Sequence, residues 1–89
     1  MRQRHKNTLL AIFESPVRAN IPWQDIEALF RALQAEITEG AGSRVRVALK
    51  GRKAVFHRPH PEKETDKGTI KSVRRFLTES GVTLPKEID

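Results

Sequence analysis

The chain has 89 residues, of which 17 are Lys or Arg and 11 are Asp or Glu, so its net charge is +6. A chain of this length forms one domain, and its basic balance favours an anionic partner such as nucleic acid or a membrane surface. It contains no apolar run long enough to span a bilayer, no secretory signal, no cysteine, no glycine-rich phosphate loop and no HExxH motif. We therefore expect a cytoplasmic domain without membrane segment, metal or small-molecule cofactor.

Two helices are predicted in the first part of the chain. The first runs from about residue 5 to residue 14 and ends before Pro16, because a residue that precedes proline avoids the helical region. The second opens at Pro22, which is tolerated in a first helical turn because its missing N–H has no partner there. Its apolar side chains recur at the spacing of one helix face, at Ile26, Leu29, Phe30 and Leu33.

Strands are predicted next, the first at about residues 35–38 and two more in a hairpin. Val45, Val47 and Leu49 alternate with cationic residues between residues 44 and 50, apart from the neutral Ala48, which is typical of a half-buried strand. A type II′ turn at Gly51-Arg52 would pair Arg46 with His57. The predicted inner face carries Val45, Val47, Leu49, Ala54 and Phe56, and the outer face carries Arg44, Arg46, Lys50, Lys53 and His57. Because like charges on facing strands destabilise a sheet, this outer face favours a polyanionic ligand.

The last part of the chain is predicted to contain an extended segment and a helix. Pro59-His60-Pro61 is stiffened by its prolines. Thr65 or Asp66 then caps a helix that ends at Gly81, whose freedom at positive φ suits a helix end. The apolar positions of this helix are Ile70, Val73, Phe76 and Leu77. The order α-α-β-β-β-α predicts an α+β two-layer sandwich with its helices on one face of an antiparallel sheet.

Several segments stand in a specific order along the chain: WQDIEALF at 23–30, EGAGSRV at 39–45, FHRPHP at 56–61 and TDKGTIKSV at 65–73. Together they resemble the HicA-type toxins of bacterial toxin–antitoxin pairs. The resemblance covers roughly residues 22–84 of a single domain spanning 1–89, so that residues 1–15 form an N-terminal helical extension. It implies a double-stranded-RNA-binding-domain-like α-β-β-β-α fold, cleavage of messenger RNA without a metal, and neutralisation by a HicB-type antitoxin.

The sequence departs from the family pattern at one position. The family's usual Gly-Ser-His, whose histidine is catalytic, stands here as Gly42-Ser43-Arg44. The catalytic histidine is therefore not carried over to position 44. The family's downstream Pro-His element matches His60, and His57 is an additional histidine.

Metal-free RNA cleavage needs a base for the 2′-hydroxyl, cations on the phosphate and an acid for the leaving 5′-oxygen. Histidine suits both proton roles, because its ordinary pKa of about 6.5 lies near neutral pH. His57 is the first candidate, since the predicted register places it near Arg44 and Arg46. His60 is the second: in a polyproline II segment the two histidines would share a face about 9 Å apart and flank one phosphodiester. The alternatives are a solvated histidine at a strand end and a histidine in a loop that is merely rigid.

Phosphate contacts are predicted for the basic residues of the hairpin, the loop and the last helix. Arginine suits this task because its planar fork binds two oxygens and stays charged. The candidates are Ser43, Arg44, Arg46, Lys50, Lys53, Arg58, Lys67 and Lys71. Each of these side chains is alternatively an ordinary solvated surface group. Two other functions remain open: an RNA-binding module without catalysis, and a basic face that docks an acidic protein.

Overall fold

The computed structural model describes residues 1–60 and 62–84, which form three helices and two antiparallel sheets. The helices are α1 (Gln3–Ile12), α2 (Trp23–Ala32) and α3 (Lys67–Glu79). The strands are β1 (Ile21–Pro22), β2 (Glu36–Glu39), β3 (Arg44–Leu49), β4 (Arg52–His57) and β5 (Glu64–Thr65).

The larger sheet has the order β2-β3-β4, and the helices cover one of its faces. Side chains at alternate positions of β3 are buried, as the pattern predicted, and they join apolar residues of all three helices in one core. The fully buried members include Leu9, Ile12, Ile26, Leu29, Phe30, Val45, Ile70, Val73 and Leu77. The predicted α+β sandwich of the double-stranded-RNA-binding-domain-like type, with an additional N-terminal helix, is confirmed.

Phe56 fixes the position of β4 against the helices. The centroid of its ring lies 5.8 Å from those of Trp23 and Phe30 and 5.9 Å from that of Phe76. Aromatic pairs in this distance range add stability beyond the area they bury. This cluster joins α2, α3 and β4 at the end of the strand that carries His57.

The predicted register of the hairpin is wrong by two residues. The turn is Lys50-Gly51, with φ of +49° and +82°, and not Gly51-Arg52. Positive φ at both central residues is the requirement of a type I′ turn, whose twist suits a hairpin. Because a shift of two residues preserves the pleat, the residues within the two strands keep their predicted faces, and only Lys50 leaves the outer face for the turn. The partner of His57 changes, however, from Arg46 to Arg44.

A second, very short ladder joins the entry of α2 to the entry of α3. Ile21 pairs with Thr65 and Pro22 with Glu64. The N–H of Trp23 also donates to the carbonyl of Lys63 at 3.1 Å. Pro22 therefore lies in a strand just before α2, rather than inside the first turn as predicted. Two residues are too few for a periodic pattern, so this pairing could not be predicted from the alternation of side chains.

The N-terminal helix is an integral part of the core. It spans Gln3–Ile12, two residues earlier than predicted, and buries Leu9 and Ile12 against the other helices. Arg74 of α3 holds its C-terminal end, donating to the carbonyl of Ile12 at 2.7 and 2.9 Å and to that of Glu14 at 2.7 Å. A cation at the C-terminus of a helix is favourable because the last carbonyls lack helical partners.

Candidate functional site

The outer face of the sheet, which points away from the helices, is the first candidate site. Its side chains lie in three rows across the strands. The rows are Glu36, Ala48 and Lys53; then Thr38, Arg46 and Val55; then Arg44 and His57. With three cations, one histidine and one carboxylate, this face attracts anions.

Arg44 and His57 lie directly opposite each other at one end of the outer face. The N–H of Arg58 donates to the carbonyl of Ser43 at 2.9 Å. This bond flanks the Arg44–His57 pair and makes it a non-hydrogen-bonded pair, in which the Cα atoms are about 4.5 Å apart and the side chains are closest. Both side chains are exposed. A guanidinium and an imidazole are thus available to the same ligand.

The other predicted cations of the hairpin divide into two groups. Arg46 and Lys53 lie on the outer face and are exposed. Lys50 lies in the turn at the hairpin tip and no longer shares a row with them, because of the corrected register. Ser43 precedes β3 and is exposed, with its carbonyl occupied by the N–H of Arg58.

A hollow of about 240 Å³ lies between His57 and the first turns of α3, and its walls include Asp66, Gly68, Thr69 and Ser72. The hydroxyl of Thr69 donates to Asp66 at 2.7 Å, and this bond holds the pKa of the carboxyl below its usual range. An ionised carboxylate therefore lies in the same hollow as the histidine. From the sequence, Asp66 is predicted as a helix cap, and its spacing from other carboxylates predicts neither a carboxylate pair nor a metal site. Lys67 and Lys71 are exposed on the first turns of α3.

Arg58 points to the helix side of the sheet and binds two carboxylates. It donates to Glu27 of α2 at 2.6 and 3.1 Å and to Glu39 of β2 at 2.5 and 2.8 Å. These bonds, first those to Glu39 and then those to Glu27, raise the pKa of the guanidinium. Since four of its five N–H donors already bind these two carboxylates, this geometry favours a structural role for Arg58 over the predicted phosphate contact.

Glu27 is the buried centre of this ion-pair network. Burial raises the pKa of its carboxyl, but hydrogen bonds from Arg58 and from the indole N–H of Trp23 outweigh burial, and the pKa is lowered. Arg31, one turn further along α2, adds a contact at 3.4 Å. The network joins α2, β2 and the segment that leaves β4. The sequence held no signal for it, because Glu27 and Arg58 are 31 residues apart.

His60 lies away from the outer face. It lines a hollow of about 720 Å³ beside α2, together with Trp23, Glu27, Arg31 and Arg58. The two histidines thus open into separate hollows, and this arrangement does not favour the predicted base–acid pair on a single phosphodiester. Pro61, the end of the predicted proline-stiffened segment, lies outside the described residues.

The described residues, 1–60 and 62–84, were searched for metal-binding clusters and for membrane-spanning helices. No group of three or more His, Cys, Asp or Glu side chains there is arranged to hold a metal ion. No helix in the same residues has the length and apolar character needed to cross a membrane.

The comparisons with known proteins gave one family. A family model described as a HicA toxin of bacterial toxin–antitoxin matches residues 23–82. This range begins at α2 and ends just after α3, so that it includes the outer face, the ion-pair network and, apart from Pro22, the lining of both hollows, and it leaves out α1 and β1. Neither the curated proteins nor the solved structures contained a match to the chain.

Proposed function

This chain belongs to the HicA toxin family of bacterial toxin–antitoxin systems, and on that premise we propose that it is a metal-independent endoribonuclease that cleaves messenger RNA in the cytoplasm. The observation that carries the proposal is the pair of Arg44 and His57. It sets a titratable ring beside a permanent cation on the exposed outer face.

In the proposed reaction His57 is the general base. Its neutral imidazole takes the proton of the ribose 2′-hydroxyl, and the 2′-oxygen attacks the phosphorus. The bond to the 5′-oxygen breaks, which leaves a 2′,3′-cyclic phosphate on one product, and the 5′-oxygen takes a proton from water to become a hydroxyl while His57 releases its proton to solvent. Positioned acids and bases contribute roughly 10²–10⁴-fold each to such proton transfers.

Arg44 is proposed to bind the phosphate during this step. The guanidinium fork pairs with two phosphate oxygens and stabilises the charge that develops on them. The family's usual histidine would stand at this position, and here the imidazole faces it from the neighbouring strand. We infer that the catalytic imidazole is supplied here by β4 instead of β3, and that the active site lies at the same place on the sheet.

The proposed partner is a HicB-type antitoxin that covers the outer face. This face combines exposed cations with Val55, whose side chain is 54% exposed. An acidic partner with an apolar contact residue complements such a surface, and it would exclude RNA by occupying the same cations. Loss of antitoxin binding in an Arg46→Glu protein would support this surface, whereas unchanged binding would place the antitoxin elsewhere.

The proposed activity is tested with purified protein, a messenger RNA and an excess of chelator. We expect cleavage that leaves cyclic phosphate ends, and its loss in His57→Ala. His60→Ala is expected to lower the rate by a smaller factor, because His60 opens into a different hollow. The control is His5→Ala, a histidine of α1 on the far side of the fold.

Two outcomes would contradict the proposal. Full cleavage by a folded His57→Ala protein would move the chemistry to another residue, with His60 next in order. RNA binding without cleavage by the wild-type protein would instead favour an RNA-binding module that lost its catalysis with the histidine at position 44.

A further inference from the structure

A groove of about 470 Å³ crosses the middle of the outer face, next to the Arg44–His57 pair. Its volume falls within the range of about 300–1,000 Å³ that is usual for small-ligand sites. The side chains that shape it are Glu36, Thr38, Arg46, Ala48, Lys53 and Val55. Two of these side chains, Arg46 and Val55, form the cross-strand pair next to that of Arg44 and His57.

The centre of this groove is apolar and its border is polar. Ala48 is the middle residue of its row, and its small side chain leaves a hollow between Glu36 and Lys53. Val55 forms an exposed apolar wall in the next row. A flat, uncharged group fits such a floor, while the carboxylate of Glu36 repels a phosphate placed there. These features favour a nucleobase over a backbone phosphate.

The β2 side of the groove presents hydrogen-bonding groups in a defined order. Glu36 and Thr38 are two residues apart on one strand and point to the same face, about 7 Å apart along the strand. Within residues 1–60 and 62–84, Glu36 takes part in no ion pair, so that both of its carboxylate oxygens are free to accept. The hydroxyl of Thr38 both donates and accepts.

We propose that this groove is a guanine-binding subsite of the proposed ribonuclease. The Watson–Crick edge of guanine presents two adjacent N–H donors, N1–H and N2–H, followed by the acceptor O6. Glu36 accepts from both donors, and the hydroxyl of Thr38 donates to O6. Adenine and cytosine each present a single amino donor on that edge, and uracil presents one imide N–H. A carboxylate with two free oxygens therefore distinguishes guanine from the other bases.

The register also sets the position of this base relative to the bond that is cleaved. The row of Thr38, Arg46 and Val55 is next to the row of Arg44 and His57. Adjacent rows are two residues apart along each strand, a distance that one nucleotide bridges. Arg46, whose row lies between that of Glu36 and the Arg44–His57 pair, is placed to hold the intervening phosphate. We expect the selected guanosine to be a direct neighbour of the scissile phosphate. This inference rests on the proposed function for the RNA substrate, but its binding test does not need catalysis.

The test measures binding by the His57→Ala protein, which keeps the probes intact. The probes are fluorescent uridine hexamers that carry guanosine, inosine or adenosine at one position, at low salt. We expect the guanosine probe to bind most tightly and the inosine probe, which lacks only the N2 amino group, to lose most of that advantage. Glu36→Gln should reduce the preference for guanosine by roughly fivefold or more, since a bidentate contact is worth about 5- to 150-fold in base discrimination.

The matched control is Glu79→Gln, which removes the same charge from the exposed end of α3. Both substitutions should strengthen RNA binding slightly by removing a negative charge. Only Glu36→Gln should change which probe binds most tightly. Equal binding of the guanosine and adenosine probes, or a preference for guanosine that survives in Glu36→Gln, would overturn the subsite. Cleavage by the wild-type protein without a guanosine beside the cut would also overturn it and leave the proposed activity standing. A Glu36-dependent preference in a protein that cleaves no RNA would support the subsite and refute the activity.

Discussion

Arg44 and His57 face each other across β3 and β4 as a non-hydrogen-bonded pair, next to the bond between the Arg58 N–H and the Ser43 carbonyl. In such pairs the two side chains approach each other more closely than anywhere else in an antiparallel sheet. The structure therefore places a guanidinium and an imidazole side by side on the outer face. This pair organises the proposed active site and decides which substitutions are informative.

The first prediction concerns Arg44. Arg44→Ala should lower the rate of RNA cleavage at saturating substrate by roughly 10²–10³-fold, the usual loss for one group that stabilises developing charge. Arg44→Lys should recover only part of the rate, because an ammonium cannot bind two oxygens in the plane of a fork. Lys50→Ala is the control, since Lys50 lies in the turn, outside the rows of the outer face. Single-turnover cleavage assays measure all three, and full activity of Arg44→Ala would refute the assignment.

The second prediction concerns the salt dependence of RNA binding. If the outer face contacts the backbone of RNA, the logarithm of affinity should fall linearly with the logarithm of salt, with a slope of about −0.7 for each phosphate of a single strand. Arg46→Ala should make this slope shallower by about 0.7. It should also weaken binding to RNAs of all sequences by the same factor, because phosphate contacts carry no sequence information. Titrations at several salt concentrations measure the slope. A slope that is the same in both proteins would show that Arg46 does not contact phosphate.

The third prediction tests the two faces of the hairpin. Val47 and Phe56 are 1% and 4% exposed, so that Val47→Asp or Phe56→Asp would bury an unpaired charge and should unfold the domain. Lys53→Asp places the same carboxylate on the outer face and should leave the fold intact. Circular dichroism and thermal unfolding distinguish these outcomes. Equal stability of the three variants would mean that the assignment of faces is wrong.

The faces of the hairpin could be predicted from the sequence, whereas its register could not. The alternation of Val45, Val47 and Leu49 with polar residues fixes which side chains are buried, whatever the turn. Two turns that contain Gly51 fit the same alternation, and the sequence favoured the one that begins with glycine. The structure has the other turn, which places Lys50 at positive φ. In this register Phe56 packs among aromatic side chains from two helices, which is a property of the tertiary structure and not of the local sequence.

The candidate site was also only partly predictable, because strand alternation determines the face on which a side chain lies but not its tertiary contacts. Arg44, Arg46, Lys53 and His57 lie on the outer face as the alternation predicts, because their placement depends only on strand parity. Arg58 follows His57 and so points to the opposite side, where it contacts Glu27 and Glu39. Parity alone thus separates Arg58 from the outer-face cations. The identity of its partners, however, depends on how α2 packs on the sheet.

The last prediction concerns the network around Glu27. Glu27→Gln keeps the size of the side chain but removes the charge that pairs with Arg58, and it should lower the free energy of unfolding by about 1.5–3 kcal/mol at neutral pH. The control is Glu62→Gln, an exposed carboxylate outside the network, which should change stability by less than about 0.5 kcal/mol. Chemical denaturation at pH 7 measures both. A Glu27→Gln protein as stable as the wild type would show that the ion pair contributes nothing net to folding.

The pH dependence of that difference gives an independent check. Because the pKa of Glu27 is lower in the folded protein than its ordinary value of 4.5, the unfolded chain binds the proton more tightly. The stabilisation from this carboxylate is therefore complete above about pH 4.5 and is lost as the pH falls through the folded-state pKa. Glu27→Gln has no proton to gain at this position, so that the gap in stability between it and the wild type should be full at pH 7 and should narrow as the pH is lowered below 4.5. A gap that is constant with pH would mean that the effect of the substitution comes from packing and not from the charge.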